Sequence, residues 1–180
     1  MIEHDDRTLV RWTLKGDRKA FEELVDRYQR PVFNVALRMV SNTDDAADLS
    51  QTVFVKAYEK LRSYNERYKF YSWLYKIAIN ASINFLEQQK KRDLLGDKEL
   101  EANSLVDEEF EARERVEKLE DAILLLRPDY RIVIILKHFQ DLSYEEIGII
   151  LEIPEKTVKS RLFTARGMLR KILEDSGLVD

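Results

Sequence analysis
Asn80 and Asn84 stand one helical turn apart, and each side-chain amide offers a donor and an acceptor that can read a nucleobase edge. Just upstream, Tyr64, Tyr68, Phe70, Tyr71 and Trp73 are interleaved with Arg62, Arg67 and Lys69, and Lys76 follows. Aromatic faces stack on unpaired bases while cations track phosphates. So many rings cannot all be core in so short a stretch. For Trp73, core packing and stacking weigh equally, and a core Phe70 with solvated asparagines is the plainer alternative. Singly these residues say little; together they suggest a protein that handles single-stranded DNA.

A second group lies at 142–170. Ser143-Tyr144-Glu145-Glu146 has the S-x-x-E form of a capping box, and Ile147, Ile150 and Leu151 give the helix it opens a buried face. Gly148 is small where a crossing helix must approach. Glu152-Ile153-Pro154 breaks the pattern, and a second helix begins near Pro154. Val158, Leu162, Ala165 and Leu169 share one side of it, leaving Lys156, Lys159, Ser160, Phe163, Thr164 and Arg166 outward. A tight helix–turn–helix with a cationic outer face suits a DNA major groove. An ordinary helical hairpin with a solvated basic face would carry the same pattern.

Catalytic patterns are missing. The two histidines, His4 and His138, form no H-E-x-x-H, and there is no phosphate-cradling G-x-x-x-x-G-K-[ST] and no G-x-S-x-G. Asp44/Asp45 and Glu145/Glu146 sit at helix starts, where the macrodipole accounts for them. No enzyme, catalytic residue, metal or cofactor is expected.

The elements that must position these groups are helical. Only 5 Gly and 3 Pro punctuate 180 residues, and no stretch alternates cleanly enough for a strand. Ala20, Phe21, Leu24, Val25 and Tyr28 recur at helical spacing, as do Val32, Val35, Ala36 and Met39. A helix over 44–58, with Asp44 as its cap, has Ala47, Val53, Phe54 and Ala57 on its apolar side. A helix over 71–92 has Trp73, Leu74, Ile77, Ala78, Ala81 and Phe85 as its core stripe, and another starts at Arg127-Pro128-Asp129.

Charge divides the chain. Residues 1–95 carry +3, residues 96–122 carry -7 and residues 123–180 are neutral, with +5 concentrated in 154–171. The net charge of -4 therefore conceals local basic surface. The expected architecture is all-α: a first domain over 1–95, an acidic linker over 96–110 and a second domain over 111–180 containing the helix-turn-helix. Absent cysteine fits a reducing cytosol. The acidic N-terminus is no secretory signal, and the longest apolar run, 132–136, is too short to span a bilayer. A cytoplasmic protein with no membrane insertion is expected.

In this order, the motifs resemble the extracytoplasmic-function class of sigma-70 family sigma factors over nearly the whole chain. The resemblance rests on Gly16-Asp17 with Ala20-Phe21, on Asp44-Asp45-Ala46-Ala47-Asp48-Leu49-Ser50-Gln51 and on Val53-Phe54-Val55-Lys56-Ala57-Tyr58. Phe70-Tyr71-Ser72-Trp73-Leu74-Tyr75-Lys76-Ile77-Ala78-Ile79-Asn80 is similar to that family's region 2. Leu142-Ser143-Tyr144-Glu145-Glu146-Ile147 and Thr157-Val158-Lys159-Ser160-Arg161-Leu162 are similar to its region 4.

The resemblance implies a dissociable subunit that directs core RNA polymerase to promoters. Asp48, Gln51 and Phe54 would contact the polymerase clamp coiled coil, and the second domain would meet the polymerase flap. The 62–70 loop, with Tyr64 or else Tyr68, would receive a base flipped from the −10 element. Arg62, Arg67, Lys69 and Lys76 would follow phosphates there while Asn80 and Asn84 help read the bases. Lys156, Thr157, Lys159, Ser160, Phe163 and Thr164 would face the −35 element, with Arg161 and Arg166 nearer phosphates. The acidic linker would run through the polymerase toward the RNA exit channel, its charge mimicking nucleic acid. An anti-sigma factor is an expected partner. The chain departs from the family pattern in three places. It has Asn65-Glu66-Arg67 where relatives commonly place a glycine, Lys156 for a frequent glycine and Thr164 for a frequent arginine. A stand-alone helix-turn-helix regulator is the alternative, but it leaves the 62–84 cluster unexplained.

Overall fold
The computed structural model describes residues 4–94 and 118–176, all of whose regular structure is helical. The linker expected at 96–110 lies outside the described residues. Helix α1, Asp6–Leu14, is capped by Asp5, whose Oδ1 accepts from the Thr8 N–H at 2.7 Å. It ends at Gly16, whose φ of 98° turns the chain into α2. Asp17 caps α2, Arg18–Val40, accepting from the Lys19 and Ala20 N–H groups. This helix is continuous through Pro31, although proline supplies no N–H to the carbonyl four residues back. The cap of α3, Thr43–Lys60, is Asn42 rather than Asp44: Asn42 Oδ1 accepts from the Asp45 N–H at 3.0 Å. Asp44 and Asp45 instead lie in the first turn, where their charge favours the helix start. A 3-10 turn, Leu61–Ser63, and an irregular loop lead to α4, Phe70–Leu94.

In the second lobe, residues 118–124 are helical and form the described part of α5. Helix α6, Pro128–Ile134, starts with proline in its first turn and passes directly into a π-turn, Ile135–Phe139. Helix α7, Tyr144–Leu151, carries both halves of the Ser143/Glu146 capping box, and α8 spans Glu155–Asp175. Between α7 and α8, a Cβ added to Gly148 would lie 2.9 Å from the Ile153 carbonyl oxygen and 3.9 Å from Val158. The glycine is thus required by the turn backbone, while the crossing helix, through Val158, would sit at ordinary contact distance from a methyl group.

Each lobe has its own apolar centre. Leu9, Leu24, Val35, Met39, Val53 and Leu74 are fully buried in the first, and Ile132, Ile135, Leu136, Ile147, Val158 and Leu162 in the second. Each such side chain contributes about 1.5–3 kcal/mol through burial. The lobes also pack on one another, α4 against α7 and α2 against α6. Arg131 of α6 is buried; its guanidinium donates to the Met39 carbonyl at the end of α2 and to the Leu124 and Leu126 carbonyls of its own lobe. Reciprocally, Arg38 of α2 pairs with Glu120 at 3.4 Å and lies 4.1 Å over the Phe139 ring.

Candidate nucleic-acid interface
The outer face of α8 is open. Val158, Leu162 and Ala165 anchor it on α6 and α7. Lys156, Lys159, Ser160, Phe163 and Arg166 are exposed, and the Phe163 side chain is 82% exposed. The ring adds an apolar surface beside the exposed cations of the same helix face. Lys159 pairs with Glu155 one turn back at 2.7 Å and lies 5.6 Å over the Tyr144 ring. Arg166 Nε donates to His138 Nε2 at 3.3 Å. Burial, Arg166 and Lys137 all push the His138 pKa down, so the neutral ring acts as an acceptor that holds the guanidinium. Thr157 and Thr164 are half-buried beside this face. Arg161 is also half-buried but lies round the helix, at the cleft between the lobes. The helix starts with Thr157 and Val158 N–H groups bonded to the Pro154 carbonyl, so Lys156 needs no glycine-like backbone.

The 62–84 cluster is split by the fold. Tyr64 is only 9% exposed; its ring packs on Phe70 and Trp73, and its hydroxyl donates to the Tyr68 carbonyl at 2.7 Å. Its ring packs against that aromatic cluster, so stacking on a base would require the cluster to rearrange. Tyr68, at 48% exposure, is the free ring of the loop. The loop turns without positive φ: Asn65 Oδ1 accepts from the Arg67 N–H, and its carbonyl accepts from the Tyr68 N–H. The asparagine side chain thus does the bending that a glycine would otherwise allow. Trp73 is half-buried in the aromatic cluster, packed on Tyr64 and Phe70 and lining the cleft toward α7.

Arg62, Arg67, Asn80 and Asn84 are exposed, but the cations between them are engaged. Lys69 Nζ donates to Glu146 at 2.8 Å and the Tyr71 hydroxyl donates to the same oxygen; Lys76 Nζ donates to Glu152 at 2.7 Å. All these acceptors belong to α7 or its C-cap. The Tyr75 hydroxyl donates to Gln140 at 2.6 Å, and burial pushes its pKa up to about 12. The Lys69 and Tyr71 hydrogen bonds, helped by Ser143, hold the Glu146 carboxyl down to about 2. Further along α4, Lys76 and Asn80 face Arg127, Asp129, Glu152 and Arg161 across a cleft of ≈ 540 Å³.

On α3, Asp48 and Gln51 are exposed and Phe54 is nearly buried. Gln51 and Phe54 line a groove between α2 and α3 whose other wall includes Val25, Arg30 and Phe33. Val55, 58% exposed at its rim, was not anticipated. Its position one turn after Gln51 was the available signal.

The description "Sigma-70 region 2" matches residues 24–92 and "Sigma-70, region 4" matches residues 116–169. The chain is 35% identical to the ECF RNA polymerase sigma factor SigW of Bacillus subtilis, over 92% of this chain and 95% of SigW. It belongs to the extracytoplasmic-function class of sigma-70 family sigma factors. Within that family it is also 36% identical to the ECF RNA polymerase sigma-E factor of Escherichia coli K12, over 89% of this chain and 90% of that one. The solved structure of CnrH in complex with the cytosolic domain of CnrY is similar with a TM-score of 0.72, at 25% identity, covering 94% of this chain and 97% of CnrH. As in the family, the region 2 match covers the 62–84 cluster and α3, and the region 4 match covers α7 and most of α8.

Proposed function
We propose that this sigma factor binds core RNA polymerase through α3 and the adjoining α2 groove, and brings it to promoters through two DNA-reading faces. The outer face of α8 meets −35 duplex: Lys159, Ser160 and Phe163 at the bases, Lys156 and Arg166 at phosphates, with Thr157, Arg161 and Thr164 flanking. Tyr68, Asn80 and Asn84 take the unpaired −10 strand, with Arg62, Arg67, Lys69 and Lys76 on its backbone. The polymerase performs the chemistry, and this chain contributes binding and the capture of freed bases. That role places it in the cytoplasm with the polymerase. No helix among the described residues is long and apolar enough to cross a membrane. An anti-sigma factor is a fitting partner, since the sigma factor RpoE of Bartonella quintana, similar in fold, has been solved with the anti-sigma factor NepR bound.

The observation that carries this reading is the occurrence of both family regions on one chain, with an exposed Phe163 on a basic α8. Mixing the chain with core polymerase should give a stable complex that starts transcripts at a defined promoter set, mapped by 5′-end sequencing. Asp48→Arg with Gln51→Ala should weaken core binding without changing helical content, because both side chains are exposed. Core affinity unchanged in that double variant would remove α3 from the interface.

A further inference from the structure
The cations of α8 are held in two ways. Lys159 pairs with Glu155 at 2.7 Å and Arg170 with Glu174 at 2.6 Å, each a carboxylate of the same helix. A carboxylate there offsets the positive charge and is an alternative to phosphate for the same N–H groups. Arg166 is held differently. Its Nε donates to His138 Nε2 at 3.3 Å, and its Nη2 lies 3.2 Å from the same atom. A guanidinium only donates, so Nε2 is the acceptor and the imidazole is uncharged, with its proton on Nδ1. The arginine is thereby fixed while it keeps its full positive charge.

Both ends of this hydrogen bond rest on fixed backbone. His138 lies in the π-turn Ile135–Phe139, and such turns recur at functional positions. The Gln140 N–H closes the turn on the Ile135 carbonyl at 3.2 Å, and the Leu142 N–H meets the Leu136 carbonyl at 3.1 Å. Ile135 and Leu136 are fully buried beneath it. Across from it, Arg166 follows the buried Ala165 and lies one turn after the buried Leu162. The neighbouring Lys137 is tied elsewhere, its Nζ donating to the Leu142 carbonyl at 3.1 Å. His138 occupies the Nε–Nη2 edge of the guanidinium. The end-on edge, Nη1 with Nη2, is the one that grips a phosphate through two parallel hydrogen bonds.

We infer that His138 is a positioning residue for −35 recognition: by accepting from one edge of Arg166, it aims the other edge at a strand phosphate. The inference rests on the assignment of Arg166 to a phosphate of the −35 duplex, and it deepens that reading. Ordering a long side chain on binding lowers affinity by about two- to tenfold, and an arginine already held escapes most of that loss. The hold depends on the proton state of the ring. An imidazolium donates from both nitrogens and repels the guanidinium. The charged groups acting on His138 are Arg166 from α8 and Lys137 beside it, both cationic, and together with burial they lower its pKa from the ordinary 6.5. The positioning is therefore present at neutral pH and is lost as pH falls through the lowered value.

The test measures binding of the intact chain to a fluorescent duplex carrying the −35 sequence of a mapped promoter. His138→Ala should weaken binding about two- to tenfold with the salt slope unchanged, because the phosphate contacts remain the same in number. His138→Gln, whose side-chain carbonyl can still accept, should restore most of the affinity. In an Arg166→Ala background, His138→Ala should add nothing. The advantage of wild type over His138→Ala should shrink as pH falls from about 7.5 to about 5. An advantage that grows instead, without rescue by glutamine, would make the imidazolium itself a phosphate contact and overturn the positioning. Arg166→Ala separates the two levels. If it weakens binding and lowers the salt slope by about 0.9 while His138→Ala has no effect, the phosphate assignment survives and only the positioning fails. If Arg166→Ala has no effect, the assignment fails and takes the positioning with it. A readout without DNA comes from the histidine count, since His4 and His138 are the only two. Nitrogen NMR of the imidazoles should find the His138 proton on Nδ1 at neutral pH, and a proton on Nε2 would overturn the hold on Arg166.

Discussion
Lys69 just before α4, and Tyr71, Tyr75 and Lys76 on it, all have partners in the opposite lobe, whereas on α8 Lys156, Phe163 and Arg166 face outward, with only His138 of their own lobe touching Arg166. Both helices carry basic residues beside aromatic ones, so local composition does not separate them. What separates them is whether the side away from the core has a second apolar stripe. α8 has none, apart from the exposed Phe163 and Met168, and stays a surface. α4 has Tyr75 and Ile79, and a helix apolar on two sides is stable only between two packing partners. A basic, aromatic-rich helix can therefore be held between two lobes by a second apolar stripe while its polar residues keep their places.

The largest expected effect comes from breaking the contact at its other edge. Arg131→Ala would leave the Met39, Leu124 and Leu126 carbonyls without their charged donor. Hydrogen bonds to charged groups are worth about 1.5–3 kcal/mol each, so a loss of about 3 kcal/mol or more is expected in urea denaturation. A loss under about 1 kcal/mol would show that water replaces the arginine and that the α2–α6 contact is loose.

Next in size is Lys159→Ala on the open face. It should cost about 1–3 kcal/mol in −35 duplex binding and relax preference at one position, if the lysine reads a base. Uniform losses on all duplexes would make Lys159 a phosphate contact.

The smallest effect is an expected absence. The Glu146 carboxyl is held down to about 2, so its contribution to the contact between the lobes is fully present above its ordinary value of 4.5 and is lost only as pH falls through the depressed one. Lys69, Tyr71 and Ser143 are the groups facing it. Fluorophores on Glu59→Cys and Lys171→Cys, exposed positions in separate lobes, should report the same separation at pH 7 and pH 5. A change between those values would assign the contact to another titrating group.

Much of this was legible in residue spacing. The capping box at Ser143, the proline start of α6, the anchoring side of α8 and the need for Gly148 all follow from local rules that the packing respects. Helix α1 was missed although Asp5 and Thr8 form a capping pair, because its apolar residues are few. Asn42 displaced Asp44 because the cap lies two residues earlier and either side chain can cap. Which of Tyr64 and Tyr68 is the buried ring was not legible for a deeper reason. Rings four apart in a loop have no periodicity to declare which enters the core, and only the position of Phe70 and Trp73 decides it. The burial of Tyr75 and Ile79 by a lobe some sixty residues away was beyond any local pattern.

One titration tests the contrast between the two faces most directly. Binding of the −35 duplex and of the −10 single strand, both from a mapped promoter, is measured for the intact chain alone and for its complex with core polymerase. The free chain should bind the duplex measurably and the single strand poorly, and the complex should gain strongly on the single strand. A free chain that already binds the −10 strand as tightly as the complex does would contradict it.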